Sequence, residues 1–245
     1  MPIKKNERLQ ALVVKSSPHG ESNKIVSLFL SDGRYINGMA HGARKPASRF
    51  GAALEPATLS QVELRYGKRP DDLVTVADGR ILNAHTVLKT NLFTMGVLFD
   101  FLGLLQYVCQ VAGGDEILFR RSVTLLRHCV KNPGEIAGMM PVARLSALLH
   151  FGRMPDWSSC TVCHSVECRR VSLHGVYCES CAAKAGEETR PVSAGVLILA
   201  DIVLRTGIPV GQLPWSELDG ILEWMLEAAH PASEMKRGKT HYVRD

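Results

Sequence analysis

Two cysteine pairs constrain this chain more than any other feature. Cys160-Thr161-Val162-Cys163 and Cys178-Glu179-Ser180-Cys181 are C-x-x-C pairs with 14 residues between them. Zn²⁺ takes four ligands in a tetrahedron, and thiolate is a good soft ligand for it. Two residues between cysteines let the backbone turn so that both sulfurs face one ion. The intervening segment holds Val171-Ser172-Leu173 and Val176-Tyr177 around His174-Gly175, a pattern that predicts a short hairpin. Knuckle, hairpin and knuckle together make the layout of a zinc ribbon, here an insert at about residues 157–190. The expected ligands are Cys160, Cys163, Cys178 and Cys181. Cys168 and His164 stand close enough in sequence to replace one of them, and a redox pair is the other use of C-x-x-C. Four cysteines close the coordination shell and leave no position for water. One structural Zn²⁺ is therefore expected, not a catalytic ion. The insert has little apolar content of its own, so metal binding would supply roughly 10–16 kcal/mol of its folding free energy.

Thiol clusters of this kind belong to a reducing compartment, and no apolar segment follows Met1-Pro2-Ile3-Lys4-Lys5-Asn6 as it would in a secretory signal. The longest apolar run, Leu92 to Ala112, carries Asp100 near its middle. A charge there is costly in a bilayer, so the run reads as a buried core helix. The expected location is the cytoplasm, associated with the nucleoid. Cys109 and Cys129 fall within helical apolar patterns and read as small core residues.

Strands come first and helices follow. Residues 9–15, 24–30, 34–40, 58–66 and 73–77 or beyond are rich in β-branched residues and separated by turn clusters. Five short strands in about 80 residues fit an OB-fold barrel, and an SH3-like barrel fits the pattern nearly as well. From residue 86 the apolar spacing becomes helical. Helices are expected up to Gly113, from an Asp115 cap to Asn132, over 135–150, over 192–205 and over 216–229, where Ser216 and Asp219 resemble a capping box. This order predicts an α+β chain: a five-stranded OB-fold barrel over residues 1–84, then an α-helical domain over 85–245 carrying the zinc insert.

Charge is unevenly placed. Residues 1–85 hold 13 Lys/Arg against 8 Asp/Glu, and the rest of the chain holds 16 of each. A basic barrel suggests a polyanion partner. Its densest part is Gly42-Ala43-Arg44-Lys45-Pro46-Ala47-Ser48-Arg49-Phe50-Gly51, with three cations in six residues. Pro46 and the flanking glycines favour an exposed loop, and Ser48 offers a hydroxyl to a phosphate.

These features, in order, resemble the RecO family of bacterial recombination mediators. The resemblance rests on Ala11-Leu12-Val13-Val14-Lys15, the polar turn with Gly20-Glu21-Ser22, and Ile25-Val26 to Phe29. It continues through Gly42-Ala43-Arg44-Lys45 with Ser48-Arg49, then Leu54-Glu55-Pro56, and ends in a helical region with a four-cysteine insert. It covers nearly the full length. His41 occupies a place where many relatives carry a second basic residue, and some relatives lack the cysteines. The resemblance implies binding of single- and double-stranded DNA and annealing of complementary strands. It also implies work with RecR to load RecA on strands coated by single-stranded-DNA-binding protein (SSB), and capture of the acidic, apolar SSB tail by the helical domain.

The residues suggest how. Lys15, Lys24, Arg34, Arg44, Lys45, Arg49 and Arg65, with Lys68 and Arg69, are candidate phosphate contacts, and Tyr35, Phe50 and Tyr66 are candidates for base stacking or for the barrel core. Arg120, Arg121, Arg127 and Arg144 are candidates for the SSB tail. Two rivals come from other classes. A zinc deaminase would use His19-Gly20-Glu21 as its H-x-E, but proline is missing before both cysteine pairs. A zinc-ribbon adaptor that binds protein alone would ignore oligonucleotides. No phosphate-binding G-x-x-x-x-G-K-[ST] loop and no nucleophile triad is evident, so no enzymatic activity and no small-molecule substrate are expected.

Overall fold

Ala11-Leu12-Val13-Val14 places four apolar residues in a row inside a strand, a pattern that suits a strand covered on both faces. The computed structural model, which describes residues 6–67, 73–211, 213 and 215–229, bears this out, with all four side chains buried. The chain divides into two compact units, Met1–Pro133 and Gly134–Asp245.

In the first unit, β1 (Asn6–His19), β2 (Asn23–Leu30), β3 (Tyr35–Ala40), β4 (Leu59–Arg65) and β5 (Val74–Asn83) close into a barrel of order β1-β2-β3-β5-β4. This is the five-stranded OB arrangement. β1 pairs with β4 over residues 6–12 and with β2 over 11–19, and its register shifts between Val13 and Lys15. Such a bulge bends and twists the strand, which lets it serve two neighbours around a small barrel. One face of the alternation fills the interior: Ala11, Val13, Val26, Leu28, Leu64 and Val76 belong to one buried cluster. Leu12 and Phe29, cross-strand partners of the other parity, are buried outside that cluster.

The outer face is covered by helices. α1 (Leu92–Ala112) packs on β1, and α2 (Glu116–Lys131) sets Phe119 edge-on to Phe29 with ring centroids 5.4 Å apart. α1 is long and apolar enough to cross a membrane by length and composition, yet Leu98, Phe101, Leu102, Leu105 and Val108 are buried in the protein. It starts later than its apolar spacing suggests. Residues 86–89 form a 3-10 turn, and Asn91 then caps the helix by accepting from Thr94 N–H at 2.9 Å. Asp115 caps α2 as expected, accepting from Leu118 N–H at 2.6 Å.

Between these helices the chain touches the β2–β3 turn, backbone on backbone. A Cβ added at Gly114 would lie 2.5 Å from the Gly33 carbonyl oxygen and 2.6 Å from the Phe29 ring. The Gly33 oxygen is backbone of the turn and the Phe29 ring is fully buried, so neither has room to yield freely.

His85, just after β5, takes a left-handed conformation with φ of 49° and donates from Nδ1 to the Ala57 carbonyl at 2.6 Å. It is 1% exposed. Burial holds its pKa below the usual imidazole value, the Ala57 bond opposes that, and the Lys89 and Arg127 charges reinforce it. The folded state therefore favours neutral His85.

In the second unit, α3 (Met139–His150), α5 (Ala194–Thr206) and α6 (Trp215–Ala229) pack together around Val142, Leu145, Leu148, Leu199, Leu218 and Leu222. The expected helix over 135–150 is shorter, because 133–138 is a 3-10 turn. Pro141 accounts for the late start: its ring tolerates only the first turn of an α-helix. Ser216 lies inside α6 and not at its cap. Beside the helices sits a small sheet of order β7-β6-β8: β6 (Arg170–Val171), β7 (Val176–Tyr177) and β8 (Arg190–Pro191), with a one-turn α4 (Glu179–Ala182). The predicted hairpin is β6–β7, and β8 was not foreseen.

Two outcomes follow from this packing. Gly114→Ala should lower unfolding stability by about 1–3 kcal/mol in chemical denaturation, the usual cost of overpacking, whereas Gly134→Ala, with open space around it, should not. The unfolded chain protonates His85 before the folded one does as pH falls below about 6.5. Its contribution is therefore complete above that pH and is lost as pH falls toward the folded pKa, at no more than about 1.4 kcal/mol per pH unit. The His85→Asn variant should show a shallower fall between pH 7.5 and 5.5 than wild type.

Candidate nucleic-acid interface and metal centre

The basic loop, residues 41–50, leaves the end of β3 and is folded back on the β1–β2 turn. Arg44 N–H donates to the Ser22 carbonyl at 2.9 Å, and its guanidinium donates to the Gly20 carbonyl at 2.9 Å. Gly42 N–H donates to Asn23 Oδ1 at 3.0 Å. Two apolar residues pin the loop from within, since Ala43 and Phe50 belong to the barrel cluster. Phe50 is 3% exposed, so it is a core residue and not a stacking platform. Arg49 lies over its ring at 5.1 Å. Arg44, Lys45 and Arg49 are thus exposed on an ordered backbone, and none has a carboxylate partner among the described residues.

Lys24 stands at the loop end of β2, but its ammonium is already paired: it meets Glu55 at 2.6 Å and its side chain is 17% exposed. Lys15 is half-buried on β1, opposite Ser27.

Arg34 and Arg65 are elsewhere. Lys24 is the second residue of β2 and Arg34 follows its end, so the strand separates them by roughly 20 Å. Arg34 is held by Glu7 and Asp32, both at 2.6 Å, and donates to the Tyr66 hydroxyl at 2.7 Å. Tyr66 in turn donates to Glu7. Burial and the Glu7 hydrogen bond push the Tyr66 phenol up to about 12. Arg65 and Arg8 share Glu63, at 3.2 and 3.0 Å, and their hydrogen bonds hold its carboxyl below the usual range. Of the seven candidate cations, Arg44, Lys45 and Arg49 form a loop cluster without carboxylate partners among the described residues, Lys24 is paired with Glu55, Lys15 is half-buried, and Arg34 and Arg65 belong to a balanced ion-pair network at the other end of the barrel. Tyr35 is half-buried on β3, and Lys68 and Arg69 lie outside the described residues, as do Lys4, Lys5 and the tail cations Lys236, Arg237 and Lys239.

Sequence reading missed Asn23, Ser22 and Glu55. A polar Ser-Asn pair at the mouth of a strand was the available signal for the first two. Glu55 gave none, because its pairing with Lys24 depends on the barrel closing.

Among the partner candidates, Arg120 and Arg127 are exposed on α2 and Arg121 is half-buried. Arg144, in the second unit, is 15% exposed and forks between Asp219 and Glu223 of α6.

The four cysteines converge. The Sγ atoms of Cys160, Cys163, Cys178 and Cys181 all lie within 4.8 Å of one another, with Cys163 and Cys178 at 3.7 Å. Each knuckle is shaped by its own backbone: His164 N–H donates to the Cys160 carbonyl at 2.9 Å, and Cys181 N–H to the Cys178 carbonyl at 3.2 Å. The first is fastened to β7, where Thr161 N–H donates to the Val176 carbonyl at 2.9 Å. Burial resists charge on Cys160, yet backbone N–H groups of Cys163, Cys178 and Val162 bring its thiol down to about 6. Hydrogen bonds from neighbouring sulfurs push Cys181 up to about 12. Four thiols this close cannot all ionise without a cation among them, so the donor set could hold a metal ion, and its softness suits Zn²⁺. Cys168 stands outside the set, buried, with its thiol donating to the Ser165 carbonyl at 3.4 Å. His164 is a backbone feature of the knuckle, with φ of 59°. In the H-x-E triplet His19 ends β1 and Gly20 and Glu21 lie in the turn after it, in the first unit, whereas the cysteine tetrad is complete within the second.

Residues 4–85 match the family model described as "Recombination protein O N terminal". The chain is also similar to several proteins named DNA repair protein RecO. The one from Syntrophotalea carbinolica is 32% identical over 155 residues, covering 62% of this chain and 58% of the relative. That from Syntrophobacter fumaroxidans is 33% identical over 162 residues, covering 65% and 62%. That from Pelotomaculum thermopropionicum is 27% identical over 202 residues, covering 81% and 77%. The chain thus spans about three-fifths of the length of the first two relatives and about three-quarters of the third.

The cysteine geometry makes a direct prediction. Purified protein should carry one metal ion per chain by elemental analysis. Cys160→Ser should lose it and should expose the β6–β7 hairpin to protease, whereas Cys168→Ser should retain the ion.

Proposed function

We propose, on the strength of this similarity, that the chain is a RecO-family DNA-repair recombination mediator that binds single- and double-stranded DNA and anneals complementary strands without chemistry. One observation carries this reading: Arg44, Lys45 and Arg49 are exposed, uncompensated by carboxylates and held on a backbone anchored at both ends. Contacts of this type go to phosphate and are indifferent to sequence, which annealing of arbitrary strands requires. Lys24 stands at the same end of the barrel, but Glu55 already balances its charge. Arg34 and Arg65 contribute less, since their charge is already balanced by Glu7, Asp32 and Glu63.

In this reading the four cysteines hold one structural Zn²⁺ that braces the small sheet of the second unit. With the shell closed by four sulfurs, the ion offers no position for a reacting water. The protein works in the cytoplasm with RecR, binds the SSB tail, and acts on RecA indirectly. The exposed guanidiniums of Arg120 and Arg127 suit an acidic tail better than Arg144, which two carboxylates already engage.

Anisotropy titrations of a labelled single-stranded oligonucleotide test the proposal. Three neutralised phosphates give a slope of log K against log salt of about −2. Replacing Arg44, Lys45 and Arg49 together by alanine should flatten that slope and slow annealing of complementary strands. Arg34→Ala should cost less than Arg44→Ala. A protein with no affinity for oligonucleotides at low salt would instead be a protein-binding zinc adaptor.

A further inference from the structure

We propose that Asn23 is a positioning residue for the basic loop: its carboxamide oxygen fixes the backbone of Gly42 and so directs Arg44, Lys45 and Arg49 along one line of phosphates. The proposal deepens the DNA-binding reading and rests on it.

The contacts form a clamp. Asn23 Oδ1 accepts from Gly42 N–H at 3.0 Å and from the Ser22 hydroxyl at 3.4 Å. Only the oxygen of the carboxamide can face a backbone donor, so its orientation is settled by chemistry. Gly42 takes a φ of 70°, a left-handed conformation that glycine adopts without strain. From that point the loop proceeds as linked turns. Lys45 N–H donates to the Gly42 carbonyl at 3.1 Å, Ser48 N–H to the Lys45 carbonyl at 2.9 Å, and Phe50 N–H to the Ser48 hydroxyl at 3.3 Å. Phe50 then anchors the far end in the barrel core. The three cations therefore stand between a polar anchor at Asn23 and an apolar one at Phe50.

This arrangement has a consequence for binding. Ordering a free loop costs conformational entropy, and a loop that must be ordered by its ligand subtracts that cost from affinity. Asn23 meets it on folding. The residue type fits the task as well. Aspartate would make the same bond to Gly42, but its negative charge would sit at the base of a phosphate-binding cluster. Asparagine supplies an acceptor with no charge.

Asn23→Ala tests the inference against a merely structural role. Amide exchange at Gly42 should accelerate, the unfolding midpoint should stay near wild type, and affinity for a short single strand should fall about fivefold, the worth of one hydrogen bond. In a background lacking Arg44, Lys45 and Arg49, the same substitution should cost nothing further, because Asn23 acts through those cations. Asn23→Asp serves if the alanine variant is unstable. It should keep the Gly42 amide protected yet bind more weakly at low salt, with the deficit shrinking as salt rises. Wild-type affinity in Asn23→Ala while the triple variant is impaired would overturn the role of Asn23 and leave the DNA-binding reading intact. A further loss in the triple background would overturn it too. If the triple variant binds like wild type, the loop itself is not the interface, and the reading fails with it.

Discussion

The first unit depends on one strand being shared between two neighbours. β1 gives its first half to β4 and its second half to β2, and the bulge beyond Val13 turns it from one to the other. Without that shared strand there is no closed barrel, only a twisted sheet with two open edges. Closure also brings the β1–β2 turn under the end of β3, where Ser22 and Asn23 can hold the basic loop. The proposed binding surface is thus a consequence of backbone pairing, and its cations are passengers on a geometry that apolar alternation determines. The same strand buries its outer face under α1, so barrel and helices stabilise each other through residues such as Leu12.

The second unit solves a different problem. Its helices have a sufficient core, but β6, β7 and β8 are two residues each and cannot stand alone. Four sulfurs within 4.8 Å of one another could hold a metal ion, which would supply the missing cohesion. If the tetrad binds an ion as proposed, the stability of this small sheet depends on metal, which burial alone would not require. Arg144 shows a related economy: it ties α3 to α6 through two carboxylates and is mostly shielded from solvent.

Much of this was legible in the chain. Strand periodicity located all five barrel strands, the C-x-x-C spacing identified the sulfur cluster, and Asp115 announced a helix cap. These signals are local, spanning a few residues. What was not legible depends on distant partners. Glu7 and Arg34 are 27 positions apart and Arg8 and Glu63 are 55 apart, so nothing in either neighbourhood shows that those charges cancel. Phe50 reads equally as a stacking ring or a core ring until the barrel closes around it. Pro141 was a visible signal for the late start of α3, and its steric meaning outweighed the apolar periodicity before it.

The central claim is that polyanionic strands meet the barrel at its loop end and not at its ion-paired end. Hydrogen–deuterium exchange, measured with and without a short single-stranded oligonucleotide, addresses this at the level of individual segments. Protection confined to residues 20–24 and 41–50, with residues 31–35 and 63–66 unchanged, is the result the account predicts. Protection concentrated at 31–35 and 63–66, or none anywhere on the barrel, would contradict it.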